Sequence, residues 1–269
     1  MNNRRKSWFW LLRAELDMYY HFPWLEGIIG AFITLGTLIT IGSYSRIRLR
    51  ISLDDPLRHG PVQVDNYLKL LENSSMYSIF AAINSALVII AFILPIILSF
   101  SLSESFQNGF IKTLLSYPIT KFQILASKLT IAILLVSILA IIGCILPVAL
   151  IVPGPKDIEG ILLVSIALCI SVFTISTTTV LVSVIVKTPL STTVISSGGW
   201  ILLMFLSALQ PIDSFIRSAL NPVMLVTDFI SNVTPDLLLM DVIQILALWT
   251  LIGVTTFILS IMKFNRTEL

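Results

Sequence analysis

The sequence has very little charge, and this scarcity excludes a soluble globular protein. Only 12% of its 269 residues are Asp, Glu, Lys or Arg, whereas 56% are hydrophobic. The mean hydropathy of +0.96 lies far above the range of soluble domains. An integral membrane protein is therefore predicted. The net charge of +2 gives no reason to expect a nucleic-acid partner.

Residues for nucleotide binding or hydrolysis are equally scarce. The chain has no G-x-x-x-x-G-K-[ST] loop for nucleotide phosphates, and neither H-E-x-x-H nor G-x-S-x-G occurs. Its two histidines, His21 and His59, lie outside the apolar runs. Its two cysteines, Cys144 and Cys169, lie inside such runs without C-x-x-C spacing, which favours small buried residues over a disulfide or metal pair. We therefore expect this chain to bind no cofactor or metal and to be no enzyme by itself.

What the sequence does contain is six uncharged apolar runs, each long enough to cross about 30 Å of hydrocarbon as a helix. We predict an all-α polytopic membrane protein with a single domain over residues 1–269. The predicted spans are approximately 25–45, 76–102, 129–152, 161–186, 191–209 and 241–262. None has an acidic or basic residue near its middle, which weighs against a proton-coupled carrier because such a carrier needs a titrating group there.

The distribution of basic residues bears on which ends of the spans face the cytoplasm. Placing both termini in the cytoplasm of a multi-pass cell (plasma) membrane protein puts most of its 17 Lys and Arg residues inside. This topology makes segment 103–128 cytoplasmic and segment 46–75 extracytoplasmic. Arg46, Arg48 and Arg50, directly after the first span, favour the opposite orientation, so the charge rule leaves both open.

Two further segments have an amphipathic character. Residues 7–20 predict an amino-terminal helix in the membrane interface, because Trp8, Leu11 and Leu16 fall on one side of it. Between the fifth and sixth spans, the pattern around Asn221 and Pro222 predicts short interfacial or re-entrant-like helices.

Polar residues inside the spans are candidates for a translocation path or for helix packing. The path candidates are Asn84 in the second span and Ser196, Ser197 and Gly198 in the fifth, because a polar group in lipid needs a partner or a wet cavity. For Asn84, hydrogen bonding between helices is the preferred interpretation. A stripe of small residues on the fourth span favours close helix packing: Ser165, Cys169, Ser176, Thr179 and Ser183.

Segment 103–128, between the second and third spans, has the most distinctive pattern. Helical spacing would give it one apolar ridge: Phe106, Phe110, Leu114 and Tyr117. Pro118 then breaks the helix, and Thr120 is a predicted cap for the helix that follows. Two short helices meeting at an elbow would present Tyr117 to Lys121 to a groove in a soluble partner. The alternative is an ordinary loop whose ridge packs on the bundle.

Within this segment, Glu104, Gly109, the run from Leu114 to Lys121, and Lys128 follow one another at a defined spacing. The spacing resembles the pattern E-x-x-x-G-T-L-x-x-L-L-x-x-P-[IV]-[ST]-[RK]-x-x-[IV]-L-x-x-K, which follows the second span in permease subunits of ABC-2 type exporters. Glu104 lies one residue further upstream than in that pattern, and Phe110 replaces the customary Thr.

The resemblance implies a permease that couples to a separate ATPase through this segment. It implies two copies of an ABC ATPase subunit, a second permease subunit as homodimer or heterodimer, and surrounding membrane lipid; ATP and magnesium would bind in the partner subunit. The residues implied in coupling are Glu104, Gly109, Leu114, Tyr117, Pro118, Thr120, Lys121 and Lys128. Two other hypotheses stay open: an ion-driven or facilitative carrier or channel, and a non-transporting membrane anchor for a soluble complex.

Overall fold

Regular secondary structure is helical throughout the residues that the computed structural model describes, which are 9–17, 24–53, 61–117, 119–151, 158–208, 220–230 and 238–266. The helices in these ranges, in chain order, are α1 (9–17), α2 (Trp24–Leu53), α3 (Pro61–Gln107), α4 (Phe110–Leu115), α5 (Lys121–Ile151), α6 (Ile158–Val186), α7 (Pro189–Ala208), α8 (Pro222–Ile230) and α9 (Leu239–Arg266).

Five of these helices are long and apolar enough to cross a membrane: Ser78–Gln107 within α3, then α5, α6, Pro189–Ser207 within α7, and α9. α2 adds a shorter apolar stretch over Glu26–Gly42. The prediction of an all-α polytopic membrane protein is therefore confirmed at this level. The sixth span stays a prediction.

Helix boundaries differ from the predicted ones around both connectors. α2 continues to Leu53 and α3 begins at Pro61, so much of the predicted segment 46–75 extends the flanking helices. α5 begins at Lys121 rather than near residue 129, which places Lys128 inside a helix. The physical reason is that a charge ends an apolar run without ending a helix, since Lys, Arg and Glu are good helix formers.

α6 is the central helix of the bundle, and it packs against α3, α5, α7, α8 and α9. Three residues of its predicted small-residue stripe, Ser176, Thr179 and Ser183, are fully buried, whereas Ser165 and Cys169 are half-buried. On the facing side of α9, a Cβ atom added at Gly253 would lie 2.5 Å from the ring of Phe173. Small residues therefore allow α6 and α9 to approach closely.

α2 and α5 cross at a pair of glycines that the sequence analysis did not single out. A Cβ atom added at Gly36 would lie 2.1 Å from the backbone oxygen of Gly143. A Cβ atom at Gly143 would in turn lie 2.7 Å from the Cβ of Phe32. Only glycine fits at this crossing without moving a helix.

Several elements distant in sequence meet at one end of the bundle, which we call the elbow end. α1 reaches α5 there through Glu15 and Lys128. The carboxyl end of α9 reaches the end of α3 there through an edge-to-face contact between the rings of Phe106 and Phe264. The elbow end therefore gathers α1, the 103–128 connector and the last turn of α9.

Candidate functional site

The connector at the elbow end is divided in two by Gly109. α3 ends at Gln107, and Gly109 has a left-handed backbone with φ 67°. Its carbonyl accepts the hydrogen bond of the Lys112 backbone amide at 3.0 Å, and α4 begins at Phe110. Glycine is favoured here because other residues adopt positive φ only at a steric cost.

This break makes the predicted continuous ridge wrong. Phe106 packs against Phe264, and Leu114 is buried, so both face the protein. Phe110 and Tyr117 are 51% and 58% exposed. A single helix would have kept the four residues on one face, whereas the left-handed residue re-aims α4 relative to α3. Phe106 and Leu114 therefore pack on the bundle, whereas Phe110 and Tyr117 are each about half exposed, and the Tyr117 ring lies 6.4 Å from the Trp10 ring.

The turn after α4 is fixed by local hydrogen bonds and a small apolar cluster. The Thr120 hydroxyl accepts from the Gln123 amide at 3.2 Å, and the Gln123 side chain accepts from the Thr120 amide at 2.9 Å. This reciprocal arrangement is a capping box, so the predicted cap at Thr120 is present. Ile119 is buried in a cluster with Leu11 and Leu114. Pro118, the predicted helix breaker, lies outside the described residues.

The Lys121 side chain forms hydrogen bonds with the end of α9 in the same chain. Its ammonium donates to the backbone oxygens of Phe264 at 3.2 Å and Asn265 at 3.4 Å, and it lies 5.4 Å from the centre of the Phe264 ring. A cation is favoured beside the unpaired carbonyls at the carboxyl end of a helix. Lys121 therefore joins the start of α5 to the end of α9.

A buried ion pair lies beneath the elbow. The Lys128 ammonium is 2.8 Å from the Glu15 carboxylate, and the two side chains are only 2% and 8% exposed. Lys128 also donates to the Ser101 hydroxyl at 3.0 Å. Lys128 thus holds α1, α3 and α5 together from the interior, rather than facing a partner from the connector surface.

Glu104 and Asn108 lie on the exposed side of the same region. The Asn108 amide donates to the Glu104 carboxylate at 3.4 Å, one helical turn apart. Both border a cleft of about 880 Å³ between α1, the end of α3 and α4. Glu15 and Lys128 line this cleft together with apolar side chains that include Trp10 and Phe100.

The predicted path residues do not come together. The Asn221 amide donates to the Asn84 side-chain oxygen at 2.9 Å, and the Asn221 oxygen caps α8 by accepting from Met224 at 3.1 Å. Asn84 therefore bonds between helices. Ser196 and Ser197 are buried on α7, whereas Gly198 is exposed with open space around it.

The start of α7 contacts α3 far from Asn84. Thr193 hydrogen-bonds Ser99, and Thr192 lies 3.2 Å from the Ser103 hydroxyl. Ser99 and Asn84 are fifteen residues apart on one helix, which corresponds to about 22 Å. The described residues therefore show no shared polar surface for the four candidates.

Sequence reasoning missed Glu15, Ser101 and Asn221 as partners. Glu15 lies between Arg13 and Asp17 on an amphipathic helix, where a solvent-facing role is the ordinary expectation. The available signal was that Lys128 lies at the edge of an apolar span, where an ammonium needs a counter-charge.

Comparison with protein-family models and with curated proteins finds no match for this chain. Within the described ranges, no group of three or more His, Cys, Asp or Glu side chains is placed to hold a metal ion. Functional inference therefore depends on the geometry of the elbow end and the membrane-spanning character of the chain.

Proposed function

We propose that this chain is the transmembrane permease subunit of an ATP-driven exporter of the ABC-2 type, and that its elbow docks into a separate ATPase subunit. In this proposal both termini and the elbow are cytoplasmic, and a second permease and two ATPase subunits complete the transporter. ATP and magnesium bind in the ATPase, and this chain hydrolyses nothing itself.

The observation that carries the proposal is the exposed aromatic surface of the elbow. Phe110 on α4, Tyr117 after it and Phe122 at the start of α5 are each about half exposed. The Tyr117 ring lies 6.4 Å from that of Trp10, and the Phe122 ring lies 6.1 Å from that of Phe257. Aromatic side chains are enriched at protein interfaces and supply many of their energetic hot spots. Their position in the segment that resembles the ABC-2 pattern supports an ATPase as the partner.

Hydrogen bonds and an ion pair connect the elbow to neighbouring helices, which supports a role in transmitting movement. The elbow residues are tied to α9 through Lys121 and to α1 and α3 through Lys128. In this proposal, movement of the elbow therefore moves α1, α3, α5 and α9 together. Switching transitions of this kind move packed helices as rigid pieces.

The docking partner can be identified by site-specific photocross-linking in native membranes. A photoreactive amino acid replaces Tyr117 in the full chain, and the control carries it at Phe92, which is similarly exposed on α3. We expect a cross-link at position 117, absent at position 92, to a protein that contains a Walker-type P-loop.

Each other outcome favours one of the remaining hypotheses. A specific cross-link to a protein without nucleotide-binding motifs would contradict the proposal and favour a membrane anchor. The absence of a specific cross-link, combined with gradient-driven flux in liposomes that contain only this chain, would favour an ion-driven or facilitative carrier or channel.

A further inference from the structure

The cleft at the elbow end has a polar end that the fold leaves incompletely satisfied. Glu15 is 7% exposed, and one of its carboxylate oxygens accepts from Lys128. The other oxygen, Oε2, is buried and has no hydrogen-bond partner among the described residues. A buried carboxylate oxygen without a donor is costly, so a donor supplied by a bound molecule would be stabilised there.

The charged side chains that line the cleft determine whether it favours a cationic or an anionic ligand group. Glu15 and Glu104 supply two carboxylates, whereas Lys128 supplies one ammonium. That ammonium already contacts Glu15 and Ser101. Among the described residues, the lining therefore has one more carboxylate than ammonium, which favours a cationic group with N–H donors over an anion. Asn108 and Thr113 also border the cleft, and their polar side chains provide hydrogen-bonding groups beside this cationic site.

Apolar side chains also line the cleft, and two of them are partly exposed within the part of the chain that the structure describes. Trp10, Ile97 and Phe100 form its walls, and Trp10 and Phe100 are 55% and 45% exposed. Ile97 and Phe100 belong to the apolar part of α3. The cleft thus has a charged end and an apolar side, which is the polarity of a membrane lipid. Its volume of about 880 Å³ lies within the range of small-molecule sites.

We propose that this cleft binds a bilayer phospholipid with a primary-ammonium headgroup of the ethanolamine kind. The ammonium lies beside the Glu15 carboxylate and near Glu104, and an acyl chain lies against Ile97 and Phe100. This inference depends on the membrane embedding of the bundle and does not depend on an ATPase partner. A failure of either proposal would therefore leave the other intact.

Lipid selectivity tests the proposal directly. Full-length protein in detergent is titrated with phosphatidylethanolamine, phosphatidylcholine and phosphatidylglycerol of identical acyl chains, and bound lipid is counted by native mass spectrometry. Phosphatidylcholine has the same net charge as phosphatidylethanolamine but lacks N–H donors, so this pair isolates the hydrogen bond. We expect phosphatidylethanolamine to bind about tenfold more tightly than either of the others, which corresponds to one well-made polar contact.

Two variants locate the site. Ala14→Phe fills the cleft from α1 without changing a charge, and it should abolish the preference for phosphatidylethanolamine. The matched control Ala247→Phe, on an exposed face of α9, should leave the preference unchanged. Glu15→Gln should remove the preference over phosphatidylcholine, and Ala14→Phe keeps the test decisive if Glu15→Gln fails to fold.

Three results would overturn the proposal. Equal binding of phosphatidylethanolamine and phosphatidylcholine would show that no N–H donor is recognised. Tighter binding of phosphatidylglycerol would show that the cleft is an anion site centred on Lys128. A preference for phosphatidylethanolamine that survives Ala14→Phe would place the lipid elsewhere on the protein.

Discussion

Polar side chains at the elbow end differ from those inside the bundle in charge and in what they join. At the elbow end, Lys128 and Lys121 connect α1, α3, α5 and α9 through charged contacts. Between α6 and α9 the contacts are neutral, such as the bond from the Thr174 hydroxyl to the Trp249 carbonyl at 2.9 Å. A second neutral contact joins Thr256 and Thr177 at 3.0 Å.

The difference follows from the cost of burying charge in a membrane protein. A charge near the bilayer centre costs more than one near its edge, so ion pairs are better tolerated close to a helix end. Lys128 lies about 10 Å along α5 from Lys121, near the aqueous end of the helix. The interior instead uses hydroxyls and glycines, which permit close packing without charge. The elbow end is therefore joined by charged pairs, and the interior by neutral hydrogen bonds and close packing.

The largest expected effect comes from removing one member of the buried ion pair. Lys128→Met leaves the Glu15 carboxylate buried without its counter-charge, and we expect a loss of about 3–5 kcal/mol in the free energy of unfolding. Denaturant unfolding in detergent measures it. Lys112→Met, at an exposed position on α4, is the control and should change stability by less than about 0.5 kcal/mol. Similar stability of the two variants would contradict the role given to the pair.

A smaller effect is expected where the interior depends on shape. Gly36→Ala places a Cβ atom against the Gly143 backbone oxygen, and the resulting overpacking should cost about 1–3 kcal/mol in the same unfolding assay. Gly30→Ala, with no atom within 4 Å of the added Cβ, is the matched control. It should be neutral or stabilising by up to about 1 kcal/mol, because alanine favours a helix over glycine. Equal unfolding free energies for the two variants would contradict the close crossing of α2 and α5.

Substitutions in the amide pair between α3 and α8 should cause the smallest losses of unfolding free energy. Asn221→Ala removes both the bond to Asn84 and the cap of α8, and should cost about 1–2 kcal/mol. Asn84→Ala removes one bond and should cost about 0.6 kcal/mol. A double-mutant cycle measures the coupling between the two residues. Strict additivity would show that the two side chains do not interact.

The sequence was sufficient to predict features that depend on local pattern. Charge-free runs predict the apolar helices because burial of charge in lipid is costly, and the position of Thr120 after Pro118 predicts a helix cap. The preferred interpretation of Asn84 as a helix-bonding residue also agrees with its contact to Asn221.

Features that depend on distant partners were not predictable in this way. Glu15 pairs with Lys128 across 113 positions, and Gly36 meets Gly143 across 107. In each pair, the sequence around one residue gives no indication of the other. The expected ridge from Phe106 to Tyr117 was wrong because helical spacing was extended through Gly109. The left-handed backbone of Gly109 separates α3 from α4 and changes the direction of α4.

If the exposed face of the elbow transmits the action of an ATPase, as we propose, the rate of ATP hydrolysis should depend on that face. The Walker-type protein identified by cross-linking is purified and reconstituted in nanodiscs with the wild-type chain, with Tyr117→Ala or with Phe92→Ala. Because Tyr117 is largely exposed, its truncation should change unfolding free energy by less than about 0.5 kcal/mol. We expect the wild-type chain and Phe92→Ala to change the hydrolysis rate severalfold relative to the ATPase alone, and Tyr117→Ala to lose this effect. A Tyr117→Ala protein that regulates hydrolysis as well as the wild type would contradict it.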